Sequence, residues 1–153
     1  MAFLKSRDAI SGQEGRAYMT IGGRVEELMG VKNIEATIEK SKAEMKVVGK
    51  RGTQHKANGW NGTGSMTIYY FTTKFRQMML DYVRTGKDLY FDLQIINEDP
   101  TSTVGKQTIM LKNVNLDGVI MAKLDSEAEM LDEEISFTFD DVAIMDQFTD
   151  PAN

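Results

Sequence analysis

The chain contains no cysteine. That excludes a disulfide framework, an iron–sulfur centre, a thiolate zinc site and a cysteine nucleophile. Histidine occurs once, at His55, so no site can be built on two imidazole ligands. No apolar run reaches the ~18 residues of a membrane span. The first ten residues, MAFLKSRDAI, lack both a long apolar core and a small-residue cleavage site, so no secretory signal is expected. What remains is a chain of 153 residues, 41% hydrophobic and 27% charged, which is the balance of a globular domain and not of a disordered one. That length suffices for one core, and no linker or internal repeat divides it, so residues 1–153 are expected to form a single domain.

Charge is unevenly placed. Ten acids and no Lys or Arg lie between Asp125 and the C-terminus. All 18 bases therefore face only 13 acids before that point, a net of +5 in a chain whose total is −5. Lys40, Lys42, Lys46, Lys50, Arg51 and Lys56 cluster with His55 in one window that holds Glu44 alone as an acid. A basic segment and an acidic one on the same chain suit head-to-tail pairing of identical copies, and they equally describe two solvated surfaces that never meet.

Hydrophobic periodicity gives a mainly β chain. Gly22-Gly23 between AYMTI and RVEELM predicts a two-residue hairpin turn. From Lys32 to Val48, Ile34, Ala36 and Ile38 alternate, the phase shifts near Ser41, and Ala43, Met45 and Val47 resume. A helical stripe through Ile34, Ile38, Met45 and Val48 competes, but a long strand with a bulge is the expectation. Such a strand spans about 50 Å at ~3.3 Å per residue. A domain of this length is only about 40 Å across, so the strand would project. Gly49–Ser65 is glycine-rich, with Asn58-Gly59 and Asn61-Gly62, and is expected to be a loop; the projecting region covers residues 40–65. Strands are expected over Met66–Phe71, around Leu89–Ile95, over Lys106–Leu116 with a phase shift at Asn113, over Val119–Leu124 and over Leu131–Asp141. Asn97–Gly105 reads as a turn cluster, and Asp117-Gly118 as a turn or kink. One helix follows Thr72 or Thr73, with Phe75, Met78, Met79 and Tyr82 on one face and Gly86 as a left-handed cap. The expected fold is an antiparallel β-sandwich or barrel of seven or eight strands with one flanking helix and a long projecting hairpin.

Motifs for chemistry fail one by one. Gly59, Gly62 and Gly64 precede a strand and not the helix N-terminus a phosphate cradle needs, and Gly49–Thr53 lacks the Walker spacing. Asp125, Glu127 and Glu129 begin like a calcium loop, which then meets Met130 where Gly belongs and Ser136 where Glu belongs. Glu133/Glu134 and Asp140/Asp141 are adjacent on a strand and point to opposite faces. His55 sits among polar residues without a nucleophile partner. No enzyme and no cofactor is therefore expected. Trp60 is either an interface anchor or a ring folded back over the domain edge. The methionines, Met45, Met66, Met78 and Met79 among them, read as adaptable core filler.

The order of segments resembles one family. GRAYMTIGGRVEELM, then IEATIEKSKAEMK entering the basic stretch, GTGSMTIYYFTTKFRQMMLDYVRTG, NEDPTSTVGKQTIMLKNV and EEISFTFDDVAIMDQF together are similar to the tail-tube proteins of contractile phage tails, PBSX-like prophage particles and phage-tail-like bacteriocins. The resemblance covers nearly the whole chain. It implies a β-sandwich with one helix and hexameric rings stacked into a tube inside a contractile sheath. The tube would be a conduit for DNA or ions across the target envelope. The implied partners are other copies of the chain, the sheath, and initiator or baseplate and terminator proteins, in a particle assembled in the host cytoplasm. Stable nucleic-acid binding and membrane insertion of the subunit are not expected.

On that reading the self-assembly surfaces are Lys46, Lys50, Arg51, His55, Lys56 and Trp60 on the projecting hairpin. Their counterparts are Asp125, Glu127, Glu129, Asp132, Glu133 and Glu134. Glu134, Ser136, Thr138 and Asp140, on one face of an alternating strand, are candidates for the lumen wall. Two other classes stay open: a small-molecule β-barrel with an apolar interior pocket, and a nucleic-acid module using the basic loop with Trp60 as a stacking platform.

Overall fold

The computed structural model describes residues 4–151. Eight antiparallel strands and one α-helix make up the fold: β1 (Gly15–Ile21), β2 (Arg24–Glu27), β3 (Val31–Met45), β4 (Gln54–Tyr69), α1 (Lys74–Thr85), β5 (Phe91–Glu98), β6 (Lys106–Gly118), β7 (Asp132–Phe139) and β8 (Asp141–Asp146). The hydrogen-bonded order is β2-β1-β5-β6-β7-β4-β3, with β8 on β6. No described helix is long and apolar enough to cross a membrane.

The sheet divides at β6. Its first half pairs with β5 and β8, and its second half, from Asn115, pairs with β7. Between the halves Asn113 adopts φ +55°, a left-handed conformation that asparagine tolerates better than most residues. Its side-chain amide donates to Asp140 at 2.8 Å, at the corner where β7 hands over to β8. The phase shift read at Asn113 is thus the place where the chain passes from one sheet to the other. Met19, Met66, Ile68, Phe75, Leu93, Leu111, Val114, Ile135 and Phe137 fill the space between the sheets.

The Gly22-Gly23 turn forms, with φ of +55° and +84° at its two central residues. Helix α1 ends at Gly86 in the left-handed conformation, its N–H bonded to the Tyr82 carbonyl. Thr73 occupies the N-cap position without a side-chain bond. Phe75 is buried and Met78 half-buried, but Tyr82 is exposed, so the helix lies on the core by its first turns only. Met66 lies in the core as filler, whereas Met45 is exposed.

Three expectations need correction. Gly49–Ser65 is not a loop: only residues 46–53 turn, and β4 starts at Gln54. The glycines misled because they were read as flexible, whereas two of them are required by cross-strand packing. Gly62 and Gly64 stand opposite Phe139 and Phe137 of β7, and a Cβ at either would fall 2.5 Å from the facing ring. Met66–Phe71 is therefore the end of a longer strand, which stops at Tyr69. Val119–Leu124 forms no strand; the segment is held by Arg76 at the Ile120 carbonyl and by Lys123 at the Asp132 carbonyl, and leads to the acidic turn.

Candidate assembly surfaces

The β3–β4 hairpin leaves the body of the domain. From Glu35 and from Asn61 towards the tip both strands are exposed apart from the half-buried Gln54. The register slips between Ser41 and Lys42, opposite Gly59 and Ala57, so the bulge sits where the alternation broke. Lys46, Lys50 and Arg51 lie in the tip turn, and His55 and Lys56 follow on β4 opposite Glu44 and Ala43. Trp60 is both half-covered and available: its ring meets Phe139 at 6.3 Å and 47°, and the residue stays 42% exposed.

The acids occupy the other end of the same ladder. β7 begins at Asp132 opposite Tyr69, the last residue of β4, and the Asp125–Glu129 turn precedes it. Asp125, Glu127 and Glu129 are exposed, and Asp125 accepts a bond from the Glu127 N–H. The 15 residue steps from Tyr69 to Gln54 separate acidic root from basic tip by about 50 Å.

Two of the predicted acids are committed within the subunit. Lys32 donates to Asp132 at 2.9 Å and Lys123 lies 3.7 Å away, and the Lys32 ammonium bond holds the Asp132 carboxyl below its ordinary range. The same contact raises the Lys32 ammonium. Glu133 is a correction. It points inward, is 1% exposed, and accepts a 2.6 Å bond from Arg76 of α1, so it offers no charge to a partner. Arg76 also donates to the carbonyls of Thr72 and Ile120 and lies over the Tyr70 ring at 4.3 Å. Sequence reading missed this pair. The one available signal was a charged residue on the inward phase of a strand that otherwise alternates cleanly.

The face of β3, β4 and β7 turned away from the core is polar throughout. Register sets Glu35, Ser65 and Ser136 in one row and Thr37, Thr63 and Thr138 in the next, with Thr67 beside Glu134. Asn33, Glu39 and Asn61 extend the same face. Glu134, Ser136 and Thr138 thus lie together on this surface. Asp140 follows the strand and is bound to Asn113. Between Asn33 and Glu39 the face carries Glu35, Glu39 and Glu134 and no Lys or Arg; at its root, Lys32 is held by Asp132. The loop reading of Gly49–Ser65 hid the contributions of Thr63 and Ser65, and with them the pairing that sets Glu35, Thr37 and Thr67 on this face.

Among the described residues no cluster of His, Asp and Glu is placed to hold a metal. The interior is packed with side chains, and what the arrangement offers is surface: a basic tip, an acidic root and a cation-poor wall.

Residues 2–146 match the family described as phage tail tube protein. The phage-like element PBSX protein XkdM of Bacillus subtilis is 42% identical over 147 residues, covering 96% of this chain and 97% of its own. Among solved structures, the cap that terminates the anti-feeding prophage tube aligns with a TM-score of 0.69 at 13% identity, over 95% of this chain and 94% of that one. The SPP1 tail tube aligns with a TM-score of 0.63 at 9% identity, over 89% and 78%. At those identities the two structures speak for the fold.

Proposed function

The chain belongs to the phage tail tube protein family, a structural and non-enzymatic family, and from that premise we propose that its copies form hexameric rings stacked into the hollow inner tube of a contractile phage tail or phage-tail-like particle. The protein is a tail tube component of a phage or phage-like particle. The proposal adds the ring, the stack and the conduit.

The observation that carries it is the β3–β4–β7 ladder, basic at one end, acidic at the other and cation-poor on its open face between them. Opposite charges at the two ends of one rigid element favour head-to-tail contact between identical copies. Such a contact is heterologous, so it propagates along an axis instead of closing on itself as a two-fold dimer does. Lys46, Lys50, Arg51, His55, Lys56 and Trp60 form one partner surface. Asp125, Glu127 and Glu129 form the other, with Glu134 near them and Asp132 already shared with two lysines. Among the described residues β3 pairs only with β4, so its outer edge is available to a neighbouring copy, and that pairing would extend the sheet around a ring.

The Glu35–Ser65–Ser136 and Thr37–Thr63–Thr138 rows suit a lumen wall. DNA binding is dominated by cations that neutralise phosphates. A wall of hydroxyls and carboxylates lets DNA or small cations pass without holding them. The opposite side of such a tube would meet a sheath, and its ends would meet initiator or baseplate and terminator proteins.

Electron microscopy of the purified protein at high concentration, or seeded with an initiator ring, tests this. Stacked rings with a hollow centre are expected. Sedimentation giving monomers under every seeded condition would overturn the proposal.

A further inference from the structure

Charge is not all that distinguishes the two ends of the ladder. At the tip, Met45, Val47 and Val48 are exposed, and Val48 is bare of any cover at 103%. The tip is a defined turn. The Lys50 N–H donates to the Val47 carbonyl at 3.2 Å, and Gly49 at φ +89° supplies the positive φ that the third residue of a type II turn requires. Val48 is therefore presented at a fixed corner, flanked by Lys46, Lys50 and Arg51.

At the root, Met29, Phe71, Leu124 and Met130 are likewise exposed. Separate segments bring them together. The Tyr69 N–H bonds the Gly30 carbonyl and the Tyr70 N–H bonds the Leu131 carbonyl, both at 2.9 Å. Lys123 donates to the Asp132 carbonyl at 2.7 Å. The Phe71 ring stands directly over Gly30, where a Cβ would lie 2.6 Å from it. Asp125, Glu127 and Glu129, all exposed, lie on the chain between Leu124 and Met130.

We propose that the hairpin tip of one copy seats Val48, with Met45 and Val47, on the Met29–Phe71–Met130 surface of a second copy, while Lys50 and Arg51 meet the carboxylates of its Asp125–Glu129 turn. This rests on the tail-tube reading above and gives its head-to-tail contact an apolar centre with an ionic rim. The apolar centres are alike and the flanking charges are opposite: Lys46, Lys50 and Arg51 beside Val48 at the tip, and Asp125, Glu127 and Glu129 beside Met130 at the root. The ladder's length places tip and root about 50 Å apart in one subunit, so a chain cannot satisfy its own surface. Two tips meeting would set Lys46, Lys50 and Arg51 against like charges, which costs several kcal/mol at an interface. A second copy's root is the surface of opposite sign.

The absence of native cysteine makes disulfide trapping clean. Assembled particles carrying Val48→Cys with Met130→Cys, or Val48→Cys with Phe71→Cys, should oxidise to a ladder of covalent oligomers longer than dimers. Val48→Cys alone should not cross-link. Val48→Asp should raise the concentration needed for assembly about tenfold or more, with circular dichroism unchanged, since the contact would have to bury a charge. Val48→Ile should assemble as the parent does. Parent assembly should survive ~1 M salt, where the Debye length falls to about 3 Å.

Particles that form but give no ladder with either pair would overturn this contact alone, and so would cross-linking by Val48→Cys alone. Normal assembly of Val48→Asp, or complete dissolution at high salt, would do the same. A parent chain that never assembles overturns the tail-tube reading and this contact with it.

Discussion

Glu133 and Arg76 show at the residue scale how a strand's phase can place a charge inside. A buried ion pair contributes little over apolar residues of similar volume, yet removing one partner strands the other. Glu133→Ala should therefore cost about 3–5 kcal/mol in urea unfolding. The double replacement Arg76→Met with Glu133→Leu should recover most of that, and equal losses in the single and double variants would contradict the account. Two further carboxylates make the fold acid-sensitive. Asp8 accepts from the Thr103 hydroxyl at 2.7 Å and from its N–H at 3.0 Å, and Asp99 accepts from the Ser11 and Thr101 N–H groups. These bonds, the hydroxyl first for Asp8 and the Ser11 N–H first for Asp99, hold both carboxyls below the ordinary range. A depressed carboxylate contributes stability above its unfolded value of about 3.9, and that contribution is lost as pH falls through the folded value. Thermal melts should show stability falling below about pH 4. Asp8→Asn with Asp99→Asn should flatten that fall while lowering stability at neutral pH. An unchanged acid slope would sink the assignment.

At the scale of elements, β4 is the strand whose composition argues against it. Its glycines remove side chains where Phe137 and Phe139 need room, so aromatic rings of β7 cover bare backbone on the core face. Gly64 is the more constrained, because a Cβ there would also fall 2.8 Å from the Glu35 carbonyl oxygen. Gly64→Val raises intrinsic strand preference yet should destabilise by about 1–3 kcal/mol through overpacking. Pairing it with Phe137→Ala should relieve the overlap, so the two effects should be less than additive. A Gly64→Val protein with an unchanged or higher melting temperature would show that the ring can move aside freely. The long strand β3 was legible because its alternation persists on both sides of the slip at Ser41. Its partner was not, because glycine carries no polarity and so writes no period.

The whole molecule is an axis with two unlike ends and a wall between them. Reversing the wall's sign separates assembly from passage. Glu35→Lys with Glu39→Lys should leave tubes intact by electron microscopy, because both residues are exposed on the wall face and belong to neither the tip nor the root surface. The same tubes should retain DNA at low salt and release it as salt rises, whereas parent tubes should not retain it. DNA retention by the parent, or none by the variant, would place the lumen on another face.

The sequence by itself determined the β-rich class, the Gly22-Gly23 hairpin, the single helix with its Gly86 cap, the projecting strand and the family. Those follow from local rules: period, turn chemistry, and an order of segments carried along the chain. It also determined the charge imbalance. Only the tertiary structure decided where the charges go. Strand pairing sent Glu133 inward to Arg76, carried Asp125–Glu129 to the end opposite Lys50 and Arg51, and lined up Glu35, Ser65 and Ser136 from three strands distant in sequence. Periodicity fixes which face of its own strand a residue takes. Which strands share that face, and what lies at the ladder's far end, depend on long-range pairing that no window of the chain contains.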